Sequence, residues 1–211
     1  FFAGRRRCER SAPPTTHHPP EADERHQLDR AASAALVLAR NDLRVLLQGA
    51  GAETHINGLF LVDGTRHTDN HLHLEHQAPH TSSRAHYAGV VANKGRGVFN
   101  GMIHVTQAAQ KTDAALYNKN LLLTEGAEID TKPELEIYAD DVKCSHGATI
   151  GALDADSLFY LRSRGVPADQ ARSMLVQAFL HEAFEGLEDD TLRDALTAAV
   201  DGWWARHGTA S

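Results

Sequence analysis

The sequence predicts a mainly β protein with a small helical region at its C-terminal end, and three observations support that fold class. From Leu36 to about Gly151, short apolar runs alternate with Gly, Asn and Asp, as in closely spaced strands joined by turns. After Leu153, apolar residues recur at the three-four spacing of helices. The chain of 211 residues is 42% hydrophobic, which is enough to bury one substantial core.

The N-terminal segment shows neither pattern. Residues 1–27 contain four prolines, clustered histidines and mixed charge, so we predict that they are disordered or non-native. The strand pattern assigns residues 28–152 to a partial β core. The helical pattern assigns residues 153–211 to a C-terminal helical domain.

Seven apolar runs mark the predicted strands of the β core. They read LRVLL, INGLFLV, HLHLEH, GVV, GVFNGMIHV, NLLL and LEIYA. Bends often require a positive φ, which favours glycine, and four pairs are assigned to them. These pairs are Asn57-Gly58, Asp63-Gly64, Asn100-Gly101 and Glu125-Gly126. No fixed-period repeat is visible, and the spacing of the runs alone leaves a sandwich, a barrel and a solenoid open.

Three helices are predicted in the C-terminal domain. Asp154 or Asp156 caps the first helix, which Gly165 ends. Pro167 stands in the first turn of the second helix. The apolar stripe of the second helix comprises Ala171, Met174, Leu175, Ala178 and Phe179, and that of the third comprises Leu192, Ala195, Leu196, Ala199, Val200 and Trp203.

A Cys-x-His pair follows the last predicted strand run. Residues two apart in a strand share a face, so the thiol of Cys144 and the imidazole of His146 would lie side by side, with Ser145 turned away. Sulfur and imidazole nitrogen suit iron, iron-sulfur clusters or zinc. Such sites normally need further ligands, which must come from elsewhere in the fold or from another chain. The alternative is a small buried cysteine beside a hydrogen-bonded structural histidine.

Longer motifs around this pair resemble the SufB/SufD family of iron-sulfur cluster assembly proteins. They are YADDVKCSHGAT, FYLRSRG, NGLFLVDG, QKTDA and NLLLTEGAEIDTKPELEIYADD, within roughly residues 36–188. The run SHGATIG stands where the SufB branch carries a Glu-containing HEATTS-like run, so the chain resembles the SufD branch. The resemblance is to the C-terminal half of a longer protein.

The resemblance implies a right-handed parallel β-helix followed by a small α-helical domain. It also implies a non-catalytic scaffold subunit that pairs with a SufB-like subunit and binds a SufC-like ATPase. Iron or a nascent iron-sulfur cluster would be held transiently at the subunit interface, with Cys144 and His146 as the implied ligands. A purely structural interaction subunit is an alternative function, and a homodimer is an alternative assembly.

The resemblance also assigns residues near the start of the helical domain to partner binding. Phe159, Arg162 and Arg164 are the implied contacts with the ATPase. Local salt bridges from the two arginines to Asp154 or Asp156 are the alternative. ATP hydrolysis is expected in the partner, because the chain has no phosphate loop, dinucleotide fingerprint or nucleophile elbow.

Half of the fourteen histidines fall between positions 55 and 86. His71, His76 and His80 lie in elements that the family also carries, and they are secondary ligand or interface candidates. The run HLHLEH is superficially similar to the His-x-His of cupins, but Gln77 stands where a cupin needs Glu. A histidine-rich mononuclear metal-binding β protein that uses His71 and His73 is a further alternative.

Composition limits which classes of binding partner and which cellular compartment are expected. The formal charge of −7 argues against nucleic acid as the main partner. No stretch approaches the 18 or more apolar residues of a membrane span. Cys8 and Cys144 stand in unlike contexts, so a disulfide framework is not expected and a reducing cytoplasm is predicted.

Overall fold

The computed structural model describes residues 25–32, 37–182 and 190–207, which form a parallel β-solenoid of about four turns followed by three helices. The strands are β1 Arg25–Ala32, β2 Leu38–Leu47, β3 Glu53–Val62, β4 His67–His76, β5 Ser82–Val91, β6 Arg96–Val105, β7 Asp113–Leu122, β8 Glu128–Ile137 and β9 Lys143–Gly151. The helices are α1 Ala155–Ser163, α2 Ala168–Glu182 and α3 Asp190–His207. The predicted fold class, a parallel β-helix followed by a helical region, is confirmed.

The strands alternate between two parallel sheets. The odd-numbered sheet has the order β1-β3-β5-β7-β9, and the even-numbered sheet has the order β2-β4-β6-β8. Each coil therefore contributes one strand to each sheet, and the next coil stacks on it in register. Ile56 lies opposite Ala85 in one sheet, and His73 lies opposite Met102 in the other.

The coils differ in length, which explains why no fixed period is visible in the sequence. Strands β3, β5, β7 and β9 begin at Glu53, Ser82, Asp113 and Lys143, so successive starts are 29, 31 and 30 residues apart. The inserted residues fall in the turns, because the paired strands keep a continuous register.

Two of the four predicted bends lie inside strands instead. Asn57-Gly58 is part of β3 and Asn100-Gly101 is part of β6. A Cβ atom on Gly58 would overlap the ring of Tyr87 from the next coil. Glycine is therefore needed at this position for space and not for a positive φ. Asp63-Gly64 does form a turn, and Gly64 has a φ of 61°.

The inside of the solenoid is an apolar core built from alternate residues of each strand. Its largest fully buried side chains include Phe60, Phe99, Leu74 and Ile103. A side chain of this size contributes about 1.5–3 kcal/mol when it is fully buried. The interior therefore supplies much of the free energy that holds the stacked coils together.

The outer faces of the two sheets differ. On the odd-numbered sheet, α2 and α3 cover an apolar patch that we call the covered face, made of Leu59, Leu61, Ala88, Val90 and Leu121. The even-numbered sheet presents mainly charged and histidine side chains outward, and we call this surface the bare face. Arg44 pairs there with Glu75, and Arg96 pairs with Asp130.

The helix ends follow the sequence signals. Asp154 caps α1 by accepting a hydrogen bond from the backbone N–H of Ser157 at 2.9 Å. After the C-cap residue Arg164, Gly165 takes a φ of 86°, as expected for a residue that ends a helix. The Pro167 carbonyl accepts from Ala171 N–H, so Pro167 stands at the start of α2, one position before its first assigned residue.

The predicted apolar stripes of α2 and α3 are only partly correct. In α2 the buried residues are Ala171, Val176 and Leu180, whereas Met174 is 44% exposed and Ala178 is also exposed. The side of α2 that meets the covered face is thus rotated from the predicted stripe. In α3 the buried residues are Leu196, Val200 and Trp203, while Ala195 and Ala199 face water. The side chain of Leu192 lies outside the described residues.

The described chain changes from strands to helices between Gly151 and Ala155. The segment predicted to be disordered or non-native is residues 1–27, and positions 1–24 of it lie outside the described residues. Its last three residues belong to β1, which begins at Arg25. Among the described helices, none is both long and apolar enough to cross a membrane.

Candidate functional site

Cys144 and His146 lie on β9, the last strand of the odd-numbered sheet. Among the strands that the structure describes, β9 pairs with β7 alone, so its other edge carries unpaired backbone groups. Cys144 lies opposite Ala114 and His146 lies opposite Leu116. Both partners on β7 belong to the interior core.

The two side chains share the inward face of this strand. Cys144 packs against the interior core, whereas the Ser145 hydroxyl lies 3.2 Å from the Tyr117 hydroxyl on the outer side. Strand alternation then puts His146 on the same face as Cys144. Cys144 is partly buried and His146 is exposed, because no described strand stacks on this coil. A thiol and an imidazole are therefore accessible together at the end of the solenoid.

The Cys144 thiol is poorly acidic in this setting. Burial is the main cause that raises its pKa, and the negative charge of Asp113 adds to the rise. A hydrogen bond with the backbone of Ala114 acts in the opposite direction. The thiol is therefore protonated at neutral pH, and thiolate formation requires a metal ion or another cation close by.

Apolar side chains around this end of the solenoid are unusually accessible. Ile137 and Ile150 lie opposite Val105 and Asn120, which are buried in the preceding coil. Even so, Ile137 is 40% exposed and Ile150 is 46% exposed. Tyr138, next to Ile137 in sequence, is 62% exposed. The last coil thus presents core-type side chains to the outside, which is typical of a surface that another protein covers.

The three secondary histidine candidates occupy three separate environments. His76 is fully buried, and its ring nitrogens lie 2.8 Å from the Thr81 hydroxyl and 3.0 Å from the Ser83 hydroxyl. Burial lowers the pKa of His76 to about 4. His71 lies on the bare face with its Nε2 2.8 Å from an Asp69 oxygen, and His80 is exposed in the turn before β5. The structure does not bring the three rings together, and the bonding of His76 is that of a structural histidine.

The first helix and its C-cap residue carry the predicted partner-binding residues on the surface. No residue of α1 is buried, and Phe159 is 73% exposed. The Arg164 guanidinium lies 5.0 Å from the centre of the Tyr160 ring. Within the described residues, neither Arg162 nor Arg164 forms a salt bridge with Asp154 or Asp156. Asp154 instead caps the helix.

Sequence comparison identifies the family. Residues 30–179 match the SufBD core domain of the SUF system for FeS cluster assembly. The chain belongs to the SufB/SufD family. It is SufD-like, since it is 44% identical over 161 residues to the iron-sulfur cluster assembly protein SufD of Escherichia coli.

Two further relatives bear the same family name. A SufBD family protein of Synechocystis is 39% identical over 163 residues, which cover 77% of the present chain. A SufBD family protein of Mycobacterium tuberculosis is 34% identical over 161 residues, or 72% of the chain. The E. coli alignment covers 76% of the chain. The three alignments span 38%, 36% and 41% of the E. coli, Synechocystis and M. tuberculosis proteins, so this SufD-like chain corresponds to less than half of each.

The family match contains most of the residues described above. It runs from β1 into α2, and so includes the β9 pair and the exposed surface of α1, whereas α3 lies beyond it.

The structure of this SufD-like chain also groups residues that sequence reasoning missed. His73, Glu75 and His104 lie together on the bare face, with potential ligand atoms within 4.8 Å of one another. His73 was considered only with His71, which pairs with Asp69 instead. Glu75 and His104 are register partners on β4 and β6, 29 residues apart. A known coil length would have revealed this pair in the sequence.

Proposed function

We propose that this SufD-like chain is a non-catalytic scaffold subunit in iron-sulfur cluster assembly. In this proposal Cys144 and His146 contribute one or two ligands to iron or a nascent cluster, which is the cargo of the assembly. The observation that carries it is the accessible inward face of β9, where the thiol and the imidazole lie two residues apart at the end of the solenoid.

A partner subunit must complete this site. Zinc or a cluster normally has about four ligands, and the β9 pair supplies at most two of them. The unpaired edge of β9, with Ile137 and Ile150 exposed beside it, fits a second solenoid stacked end to end or strand to strand. A SufB-like subunit is the partner we favour, and a second copy of this chain is the alternative.

The chemistry of the pair suits temporary binding. The raised pKa of Cys144 keeps the thiol protonated until an incoming metal ion displaces the proton. His146 is exposed, so its ring can bind iron that is also held by the partner subunit. The same exposure lets the iron pass on to water or to another protein. Cys144 is a free thiol, which fits a reducing compartment, and we place the assembly in the cytoplasm.

The surface of α1 is the proposed contact for a SufC-like ATPase. Exposed aromatic and arginine side chains are enriched among the residues that dominate protein interfaces. Phe159 and Arg162 on α1 and Arg164 at its C-cap provide this combination, and the helix buries no residue of its own. ATP hydrolysis in that partner would supply the motion that opens the subunit interface.

The decisive experiment is His146→Ala and Cys144→Ser in a complex with SufB-like and SufC-like subunits. We expect iron and acid-labile sulfide to fall at least about tenfold for His146→Ala, while the subunit ratio on gel filtration stays unchanged. Ser145→Ala is the matched control, since Ser145 faces the other side of the same strand. Normal iron and sulfide in the double variant would remove both residues from the site and favour a purely structural subunit.

A further inference from the structure

The bare face carries a second group of potential metal ligands, apart from the β9 pair. His73 and Glu75 lie on β4, and His104 lies on β6 opposite Glu75. All three point outward, because the residues that alternate with them, such as Leu74 and Ile103, belong to the interior core. Two imidazoles and a carboxylate therefore meet on one surface of adjacent strands.

The separations within this group are close to those of a metal site. His73 Nε2 lies 3.7 Å from Glu75 Oε2, and His104 Nδ1 lies 4.0 Å from Glu75 Oε1. Ligand atoms about 2.1 Å from a tetrahedral zinc ion are about 3.4 Å apart. All three ligand atoms lie within 4.8 Å of one another, so the side chains must approach by up to about 1.4 Å to share one ion.

One ligand atom in the group has no hydrogen-bond partner among the described residues. His73 Nε2 is shielded from solvent and makes no hydrogen bond among the described residues. Leaving such a shielded polar atom unsatisfied destabilises the fold, and a bound metal ion would satisfy it. A neutral imidazole at His73 would offer the lone pair of this nitrogen to an ion.

Neighbouring side chains hold Glu75 in place. Arg44 donates to one carboxylate oxygen at 2.6 Å, and Gln77 donates to the other at 2.7 Å. A carboxylate offers about four lone-pair positions, so both oxygens can still bind an ion. Arg44 brings a positive charge close to the site, and Glu136, opposite His104, adds a negative one. Such outer contacts orient metal ligands in known sites.

We propose that His73, Glu75 and His104 bind one divalent first-row transition metal ion, with water in the remaining position. Two histidines and one carboxylate form a ligand set that holds zinc or ferrous iron in proteins. The site lies on the outside of the even-numbered sheet, whereas Cys144 and His146 face inward on the odd-numbered sheet. It therefore does not depend on the proposed cluster site and needs no partner subunit.

Cobalt titration of the full chain tests this site, because Co²⁺ replaces Zn²⁺ and its visible absorption reports the ligands. We expect one equivalent to bind with visible bands, and Zn²⁺ to displace it. Glu75→Gln and His104→Ala should each weaken binding about 100-fold or more, since even outer contacts change metal affinity 10–100-fold. Circular dichroism of each variant checks that the fold is intact, and Glu75→Gln keeps the shape of the side chain.

Two controls separate this site from other histidines and from the β9 pair. His71→Ala changes a histidine on the same strand and face that pairs with Asp69. The double variant Cys144→Ser, His146→Ala removes the other candidate ligands. Both controls should bind Co²⁺ within about threefold of the unchanged chain. Binding that survives Glu75→Gln and His104→Ala, or that is lost in either control, or that is absent altogether, would overturn the proposal.

Discussion

The covered face and the bare face are built from the same strand geometry, yet they carry opposite kinds of side chain. On the covered face, Leu59, Leu61 and Val90 lie under α2 and α3. On the bare face, the side chain of Arg44 is exposed and pairs with that of Glu75. The interior core is apolar behind both sheets, so it does not account for this difference. Outward-facing residues are apolar where helices cover the sheet and polar where the sheet is open to water.

The two faces also contribute differently to stability. Exposed ion pairs add little, since the side chains lose freedom and water screens the charges. Burial of a leucine contributes about 1.5–3 kcal/mol, so the helix contacts on the covered face should matter far more. The bare face is thus free to carry polar groups for binding.

The sharpest comparison of the two faces uses one leucine that packs against the covered face and one that lies on the bare face. Leu180 on α2 is fully buried against the covered face, whereas Leu46 points out from β2 on the bare face and is 45% exposed. We expect Leu180→Ala to lower the free energy of unfolding by about 2–5 kcal/mol and Leu46→Ala by less than about 1 kcal/mol. Urea unfolding followed by circular dichroism measures both. Equal losses would mean that the helices contribute no more than the open surface.

His76 tests how strongly the interior excludes charge. Its pKa is lowered from 6.5 to about 4 by burial, so the unfolded chain binds a proton more readily than the folded one. Stability should therefore be complete above about pH 6.5 and fall as the pH drops toward 4, by up to about 3 kcal/mol.

The matched variant is His76→Asn, compared with the unchanged chain by urea unfolding at several pH values. A chelator in the buffer keeps metal ions away from the bare face. The variant should lose less stability between pH 6.5 and 4, whatever its stability at neutral pH. Parallel pH profiles for the two proteins would show that the ring is not held neutral by burial.

The smallest expected effect concerns α1, which buries no residue and so lacks the support that the covered face gives to α2 and α3. Its stability depends more on its own cap. Asp154→Ala should speed amide hydrogen exchange in α1 about fivefold, because the N–H of Ser157 loses its acceptor. Asp156→Ala should have a smaller effect, since the negative charge of Asp156 in the first turn interacts only with the helix dipole. Equal acceleration by both changes would rule out Asp154 as the cap.

The sequence revealed those features that depend on short-range chemistry. The cap at Asp154, the stop at Gly165 and the shared face of Cys144 and His146 all follow from residues a few positions apart. Five of the seven predicted apolar runs lie inside strands, whereas NLLL extends one residue beyond the end of β7 and LEIYA extends two residues beyond the end of β8. Local backbone geometry determines each of these features.

The coil repeat was hidden both by the unequal coil lengths and because successive coils use complementary residues and not identical ones. Gly58 lies opposite Tyr87, and Phe60 lies opposite Gly89, so a large ring in one coil fills the space left by a glycine in the other. A search for recurring residue types misses such a pattern. The group of His73, Glu75 and His104 was missed because the register between coils was unknown, and His104 is adjacent to Glu75 only in that register.

The stripe of α2 was wrong for a different physical reason. Apolar residues lie on more than one side of that helix, and only the position of the covered face selects Val176 and Leu180 over Met174. Three-four spacing predicts the helix but not the direction in which it is buried.

Register between neighbouring coils has a consequence for how this chain is made. Each strand from β3 onward pairs with one about thirty residues earlier, as Ala85 does with Ile56. During translation, an emerging coil would find its template already outside the ribosome and could add to it at once. Growth from one end in this way resembles crystallisation on a seed. Folding of the nascent chain then does not depend on contacts between residues far apart in sequence, which form slowly.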